Sequence, residues 1–285
     1  MKATPKTIQI FLPGGDPQGI RIAEITTRIV QVIEVPRSLL SEFSKLPESN
    51  QVAFYFLFGE DDDEALKVYI GQTGDLCKRL ASHNKEKDFW ERALVVVSRT
   101  NSLTQTHALF LEWFCLQACR EAGRYSDENG NSGSKPHTPP PLEADCLEIF
   151  DTSKTLLSTL GYPVFDPVAK PIAPNADDEL FHCIGSGANG RGQLTSEGFV
   201  VLRESSGRLE HAPSTDEKTV QVRQQLIASD VLKVKGDQIV FQKDHLFRSP
   251  SRAAAVLMGR TANGWIEWKD VNGTTLNELK RQSND

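Results

Sequence analysis

The 285-residue chain has no apolar run approaching the ~18 residues that a membrane-spanning helix needs. Its first residues, MKATPKTIQIFLPGG, hold an apolar stretch too short for a secretory signal. A soluble, cytoplasmic protein with no membrane partner is therefore expected. Cysteine is sparse and odd in number, at Cys77, Cys115, Cys119, Cys146 and Cys183. That pattern excludes a disulfide scaffold and reads as reduced thiols in a reducing compartment. Cys115 and Cys119 stand at helical i, i+4 spacing, as metal ligands do, but no matched second pair exists and small buried hydrophobes are the expected use. Excess positive charge is missing as well: 32 Lys and Arg against 38 Asp and Glu leave a net charge of −6, so no global basic field draws the protein to nucleic acid. The run Glu60-Asp61-Asp62-Asp63-Glu64, which reads as a solvated loop tip, supplies five of the negative charges by itself. The remainder is close to neutral, so acidity does not exclude a nucleic-acid partner. With 39% hydrophobic, 25% charged and 8% aromatic residues, the chain is neither collagen, long coiled coil nor disordered. Its length suggests two domains.

What is present is organised as follows. Residues 1–49 form a β-rich element: TIQIFL and IRIAEITTRIVQVIEV flank a GGDPQG turn, and a short helical RSLLSEF follows. No chemistry is assignable there, and a scaffold or homodimer contact is the default. Residues 50–161 open with two β-branched and aromatic runs, VAFYFLF and KVYIG, joined by the acidic loop. Asp75 is positioned to cap a helix through LCKRLASHN, ALVVVS is a third strand, and Thr104 or Thr106 caps a helix that Gly123 stops. A turn-rich NGNSGSKPHTPPP loop and a helix from about Leu142 to Leu160 complete this part. Residues 162–178 carry Pro163, Pro167, Pro171 and Pro174 and read as a linker. Residues 179–285 alternate FHCIG, GFVVL and QIVFQ strands with helices over DEKTVQVRQQLIAS and SRAAAVLMG, followed by an Asn263-Gly264 turn before WIEW. The expected fold class is α+β: a small sheet flanked by helices, and a separate carboxy-terminal α+β domain.

Three groups carry chemistry. Glu112 lies in ALFLEWFCLQAC, a helix apolar on nearly every face. A carboxylate there must be paired, protonated or bound to a cation, unless it reaches the helix surface. Arg79 and His83 are four apart and share a helix face, where they are either a solvated face or a phosphate donor beside a group able to move a proton. Tyr55 and Tyr69 lie on the adjacent hairpin strands.

The ordered set Tyr69-Ile70-Gly71-Gln72-Thr73-Gly74-Asp75-Leu76, Arg79-Leu80 and His83, preceded by Phe54-Tyr55 and followed by Glu112 and Asn129, resembles the core of the GIY-YIG nuclease family over residues 52–130. It departs from the family at the first motif, where glycine is Ala53 and isoleucine is Phe54, and in the acidic hairpin loop. Asn129 and Asn131 compete for the trailing asparagine, and Asn129 is preferred by its spacing after Arg124-Tyr125. The resemblance implies a GIY-YIG-type sheet and metal-dependent hydrolysis of DNA phosphodiester bonds. Glu112 would hold one divalent cation, Mg²⁺ or Mn²⁺. Arg79 would stabilise the phosphate charge, Tyr55 would orient or deprotonate water with His83 as relay, and Tyr69 would position the nucleophile or a phosphate oxygen.

At the carboxy terminus, HLFRSPSRAAAVLMGRTANGWIEWKDVNGTTL resembles an uncharacterised domain that often follows GIY-YIG domains, and also a module associated with restriction enzymes and adenine methylases. It implies a DNA-targeting accessory with Arg248, Ser249, Arg252 and Trp265, together with Trp268, as contacts. For any one of these residues taken alone, helix capping or core packing is the favoured use. Restriction or anti-phage defence and repair are both compatible roles. Two other readings stay open: a catalytically inactive DNA-binding protein that keeps the nuclease fold, and a protein-interaction module acting through the acidic loop.

Overall fold

The computed structural model describes residues 5–60, 66–130, 133–169, 180–213 and 215–281. The chain divides into two compact units, Met1–Asp166 and Pro167–Asp285. The first holds a mixed sheet, through the parallel pair of its last strand, and the second an antiparallel sheet, each with helices, so the chain is α+β.

In the first unit, β1 (Gln9–Phe11), β2 (Arg21–Glu24), β3 (Val30–Pro36), β4 (Ala53–Glu60), β5 (Leu66–Thr73), β6 (Trp90–Ser98) and β7 (Ser126–Asp127) form one sheet in the order β1-β2-β3-β6-β4-β5-β7. β6 is thus central, and β4 lies between β6 and β5, antiparallel to both. Within residues 1–49, the strands β1, β2 and β3 are built into this sheet, since β3 pairs with β6 from Val30↔Ser98 to Pro36↔Arg92. The side chains alternate as a strand requires. Phe54, Phe56, Phe58, Val68 and Ile70 enter a core with α3 (Gln105–Ala122) and α4 (Pro140–Thr159). Ala53, Tyr55, Leu57 and Tyr69 face the opposite side, with Phe43 of the short helix α1 (Leu40–Phe43) and Leu76 and Leu80 of α2 (Leu76–Glu86).

Local sequence sets the helix ends. The Asp75 side chain accepts the Lys78 N–H at 3.1 Å and caps α2. At α3 the cap is Thr104, whose N–H donates to His107 Nδ1 at 3.1 Å, and Gly123 closes the helix at φ 64°, a left-handed conformation that glycine adopts without a Cβ penalty. Residues after α4 fold back onto the sheet: Val164 and Phe165 are buried in the first core. Tyr162 donates its hydroxyl to Glu34 Oε1 at 3.2 Å. Glu34 is 1% exposed and also pairs with Arg21 and, at 3.2 Å, with Arg92, so its charge is compensated where burial alone would be costly. Residues 170–179 of the proline-rich stretch lie outside the described residues, as do Asp61–Ala65 of the acidic loop.

In the second unit, β8 (Phe181–Gly185), β9 (Ala188–Leu194), β10 (Phe199–Val201), β11 (Ser206–Arg208), β12 (Leu232–Lys235), β13 (Gln238–Phe241) and β14 (His245–Phe247) make a sheet ordered β12-β13-β11-β9-β10-β14, with β8 on β9. Helices α5 (Glu217–Ala228), α6 (Pro250–Met258), α7 (Gly264–Glu267) and α8 (Leu276–Arg281) complete it. The core gathers Phe181, Phe199, Phe241, Phe247 and Trp268 around the buried face of α6. The expected turn at Asn263-Gly264 is the cap of α7, because Asn263 Oδ1 accepts the Trp265 N–H at 3.2 Å. β9 and β11 escape a reading by hydrophobic alternation, since ANGRGQL and SGR are glycine-rich and polar.

Candidate active site

α2 begins at its Asp75 cap, and one turn later its inner face presents Arg79 and then His83 to the tyrosines of the hairpin. The Arg79 Nε donates to the Tyr55 hydroxyl at 3.0 Å, and its Nη2 donates to the Tyr69 hydroxyl at 3.2 Å. The Tyr55 hydroxyl lies 2.7 Å from His83 Nε2. The Tyr69 and His83 rings meet edge to face at 4.8 Å. Four side chains from β4, β5 and α2 therefore form one hydrogen-bonded cluster.

Gly71 makes room for it. A Cβ at that position would sit 2.5 Å from the Tyr55 hydroxyl and 3.0 Å from the Tyr69 ring, so a larger residue would push both tyrosines away. The substitutions in the first motif leave β4 intact: Ala53 and Phe54 are both fully buried in the strand.

The electrostatics are set mainly by burial. Tyr55 is 0% exposed. Burial, reinforced by Tyr69, raises its pKa above the ordinary phenol value, and Arg79 acts in the opposite direction. His83 is 2% exposed and its pKa is pushed down to about 4, first by burial and then by the positive charges of Arg79 and Lys87. The imidazole is therefore neutral near pH 7. Its Nδ1 is buried with no hydrogen-bond partner among the described residues. In one tautomer Tyr55 donates its proton to His83; in the other His83 donates to Tyr55, and the phenol proton is available to whatever enters the site.

Glu112 lies mid-way along α3 and is half-buried. Burial raises its pKa, while Arg79 and the Gln72 backbone N–H that it accepts act to lower it. A guanidinium on α2 and a carboxylate on α3 thus face a common region at the end of β5. Gln105 at the start of α3 donates to Gln72 Oε1 and ties this helix to the same strand end. Among the described residues no group of three His, Cys, Asp or Glu side chains is arranged to hold a metal ion. Cys115 and Cys119 are both buried, and burial raises both pKa values, that of Cys119 to about 12. They serve the core.

Asn129 is placed beside the site rather than in it. Its Oδ1 accepts the Ile70 N–H at 2.8 Å and its Nδ2 donates to the Ile70 carbonyl at 2.5 Å, so the carboxamide imitates a neighbouring strand along the edge of β5. Asn131 lies outside the described residues.

The carboxy-terminal candidates are occupied by local structure. Ser249 caps α6 by accepting the Arg252 N–H at 3.2 Å. Arg252 Nη1 donates to Thr219 Oγ1 at 3.0 Å and pairs with Asp216 at 3.4 Å. Trp265 is partly buried against the core, and Arg248 is exposed. Trp268, expected as stacking surface, is fully buried, with its indole N–H donated to the Pro250 carbonyl at 3.0 Å. The hydrophobic area of that ring outweighs any surface use.

Motif reasoning missed Lys87, whose Nζ lies 4.5 Å from the Tyr69 ring centroid, and Arg37, which holds the chain around it. Neither lies in the YIG-to-His segment, and Arg37 is remote in sequence.

No described helix is long and apolar enough to cross a membrane. Comparison with curated proteins and with solved structures finds no match. Residues 181–280, inside the second unit, match the family model of a domain of unknown function, DUF4357.

Proposed function

We propose that the protein is a metal-dependent endonuclease that hydrolyses DNA phosphodiester bonds on a GIY-YIG-type domain, with the carboxy-terminal unit as a targeting accessory. The observation that supports this best is the convergence of Tyr55, Tyr69, Arg79 and His83 in one cluster, electrostatically coupled to Glu112. A solvated helix face would not bury His83 against two tyrosines. The match at residues 181–280 supports a distinct carboxy-terminal domain without naming its role or ligand. That span carries 13 Lys and Arg against 11 Asp and Glu in a chain of net charge −6, which is compatible with an accessory DNA contact. Five free thiols suit a reducing cytoplasm.

A single divalent cation fits the donor set. Mg²⁺ keeps several waters and is commonly bound through one or two carboxylates plus phosphate oxygens, and Glu112 is a half-buried carboxylate whose charge a cation would compensate. Glu112 is the residue that would hold Mg²⁺ or Mn²⁺, and the cation would supply positive charge to the scissile phosphate. Arg79, already oriented by both phenols, directs its remaining N–H groups to a phosphate oxygen. Tyr55 does not rest as a phenolate, so it moves protons by exchange: it accepts one from the attacking water and passes its own to His83 Nε2. Tyr69 is held by Arg79 beside the same phosphate.

The test is plasmid nicking with Mg²⁺, Mn²⁺ or EDTA, run on wild type and Glu112→Ala. Metal-dependent cutting by wild type alone is expected. DNA retention by both proteins without product at any metal concentration replaces this reading with the inactive DNA-binding protein.

A further inference from the structure

Lys87 follows α2 at its carboxy-terminal end, where its N–H donates to the His83 carbonyl at 3.0 Å. Its ammonium stands over the Tyr69 ring at 4.5 Å, on the ring whose hydroxyl Arg79 holds. The flanking carboxylates are engaged elsewhere: Glu86 accepts the Ser82 hydroxyl at 2.7 Å, and Asp88 lies 3.8 Å from Arg37. Among the described residues Lys87 forms no ion pair, although the chain is acidic and Lys67, Lys78, Arg92 and Arg120 all do. Arg79 likewise has no carboxylate partner there.

The position of Lys87 is enforced from residues 1–49. Arg37 Nε donates to Asn84 Oδ1 at 2.7 Å and Nη2 to the Asn84 carbonyl at 2.8 Å. Its Nη1 donates to the carbonyls of Asp88 and Trp90 at 3.0 and 3.1 Å, and the guanidinium lies over the Trp90 ring at 4.9 Å. One side chain therefore clamps the backbone on both sides of Lys87. Such a clamp is excessive for a solvated lysine and appropriate for a cation that must stay in one place.

We propose that Lys87 is a second phosphate-binding cation of the site, contacting the DNA backbone next to the phosphate that Arg79 holds, and that Arg37 is the positioning residue that keeps it there. This deepens the nuclease reading and takes the ligand from it. Two unpaired cations flanking one phenol match two phosphates of a strand, whereas a merely structural lysine would need only its methylenes against the ring. Arg79 bonds to the hydroxyl of the same Tyr69 ring over which the Lys87 ammonium stands, so the two charges border one small region; the His83 pKa, lowered first by burial, is lowered further by both.

The test is the salt dependence of affinity for a fluorescein-labelled duplex of arbitrary sequence, measured by anisotropy on the full chain carrying Glu112→Gln. Lys87→Met keeps the apolar stem and removes the charge, and is expected to lower the slope of log K against log salt by about 0.9, one phosphate contact. Lys87→Arg is expected to restore it. Arg37→Met is expected to lower the slope in the same direction and to add nothing in the Lys87→Met background. An unchanged slope in Lys87→Met overturns the assignment. A lowered slope in a protein whose wild type never cuts would overturn the nuclease reading and leave Lys87 as a DNA contact.

Discussion

The two units treat their polar side chains differently. In the first, Tyr55, Tyr69, Arg79 and His83 come from three successive elements and bond to one another while leaving donors over: the Nη1 of Arg79, one tautomeric proton, and the neighbouring Lys87 ammonium above the Tyr69 ring. In the second, the residues with a similar look on paper are used up locally. Ser249 caps its own helix, Arg252 ties that helix to Asp216 and Thr219, and Trp268 fills the core. Arg223, 2% exposed, gives its Nη1 to the Leu209 carbonyl at 3.1 Å and faces His211 Nδ1 at 3.0 Å, with only its Nε left buried and without a partner among the described residues. The contrast teaches that convergence from separate elements, rather than residue type, distinguishes a site from a well-satisfied scaffold.

The sharpest way to break this comparison is Gly71→Ala. The new Cβ would lie 2.5 Å from the Tyr55 hydroxyl, and displacing that group is expected to cost about a hundredfold in cleavage rate, measured by single-turnover nicking. Retention of wild-type turnover would show that the cluster is not the working site.

A smaller effect is expected in the pH dependence of stability. An ordinary imidazole in the unfolded chain titrates near ~6.5, whereas His83 in the folded chain titrates at about 4. Between those values the unfolded state holds more protons, so stability is full above the unfolded pKa and falls as the pH drops toward 4. Urea unfolding from pH 7 to 4 is expected to show His83→Gln relieved of a loss of no more than about 3 kcal/mol relative to wild type. His245 on β14 is also pushed down to about 4 by burial and by Lys243, so the second unit loses stability in the same window. A titration specific to His83 is therefore read best from the difference between wild type and mutant.

The smallest effect is in the second unit. Ser249→Ala is expected to cost about 1 kcal/mol, as removal of a helix cap does, measured by thermal unfolding. Its affinity for duplex DNA is expected to stay unchanged once stability is accounted for. A fall in affinity at constant stability would place Ser249 in the DNA interface and remove the distinction between the units.

Much of the first unit is legible before folding. The runs at Ala53–Glu60 and Leu66–Thr73 read as strands because β-branched and aromatic residues dominate them, and Asp75 reads as a cap because its side chain competes for the first helical N–H groups. The i, i+4 spacing already puts Arg79 and His83 on one face. The strands with weak patterns, such as Ala188–Leu194, and the helix Gly264–Glu267 were less legible, because glycine-rich strands and single helical turns depend on their neighbours for stability.

By itself, then, the sequence determined the strongly patterned strands, the capped helices and the shared face of Arg79 and His83, since propensity, capping and side-chain spacing are local. Only the tertiary structure decided which groups meet. It placed the strands of residues 1–49 in the same sheet as the hairpin, turned Trp268 inward, assigned Asn129 to the edge of β5, and brought Arg37 across to hold the corner that carries Lys87. These outcomes rest on burial and on hydrogen bonds between residues far apart in the chain, and such pairings leave no period or spacing in the sequence to read.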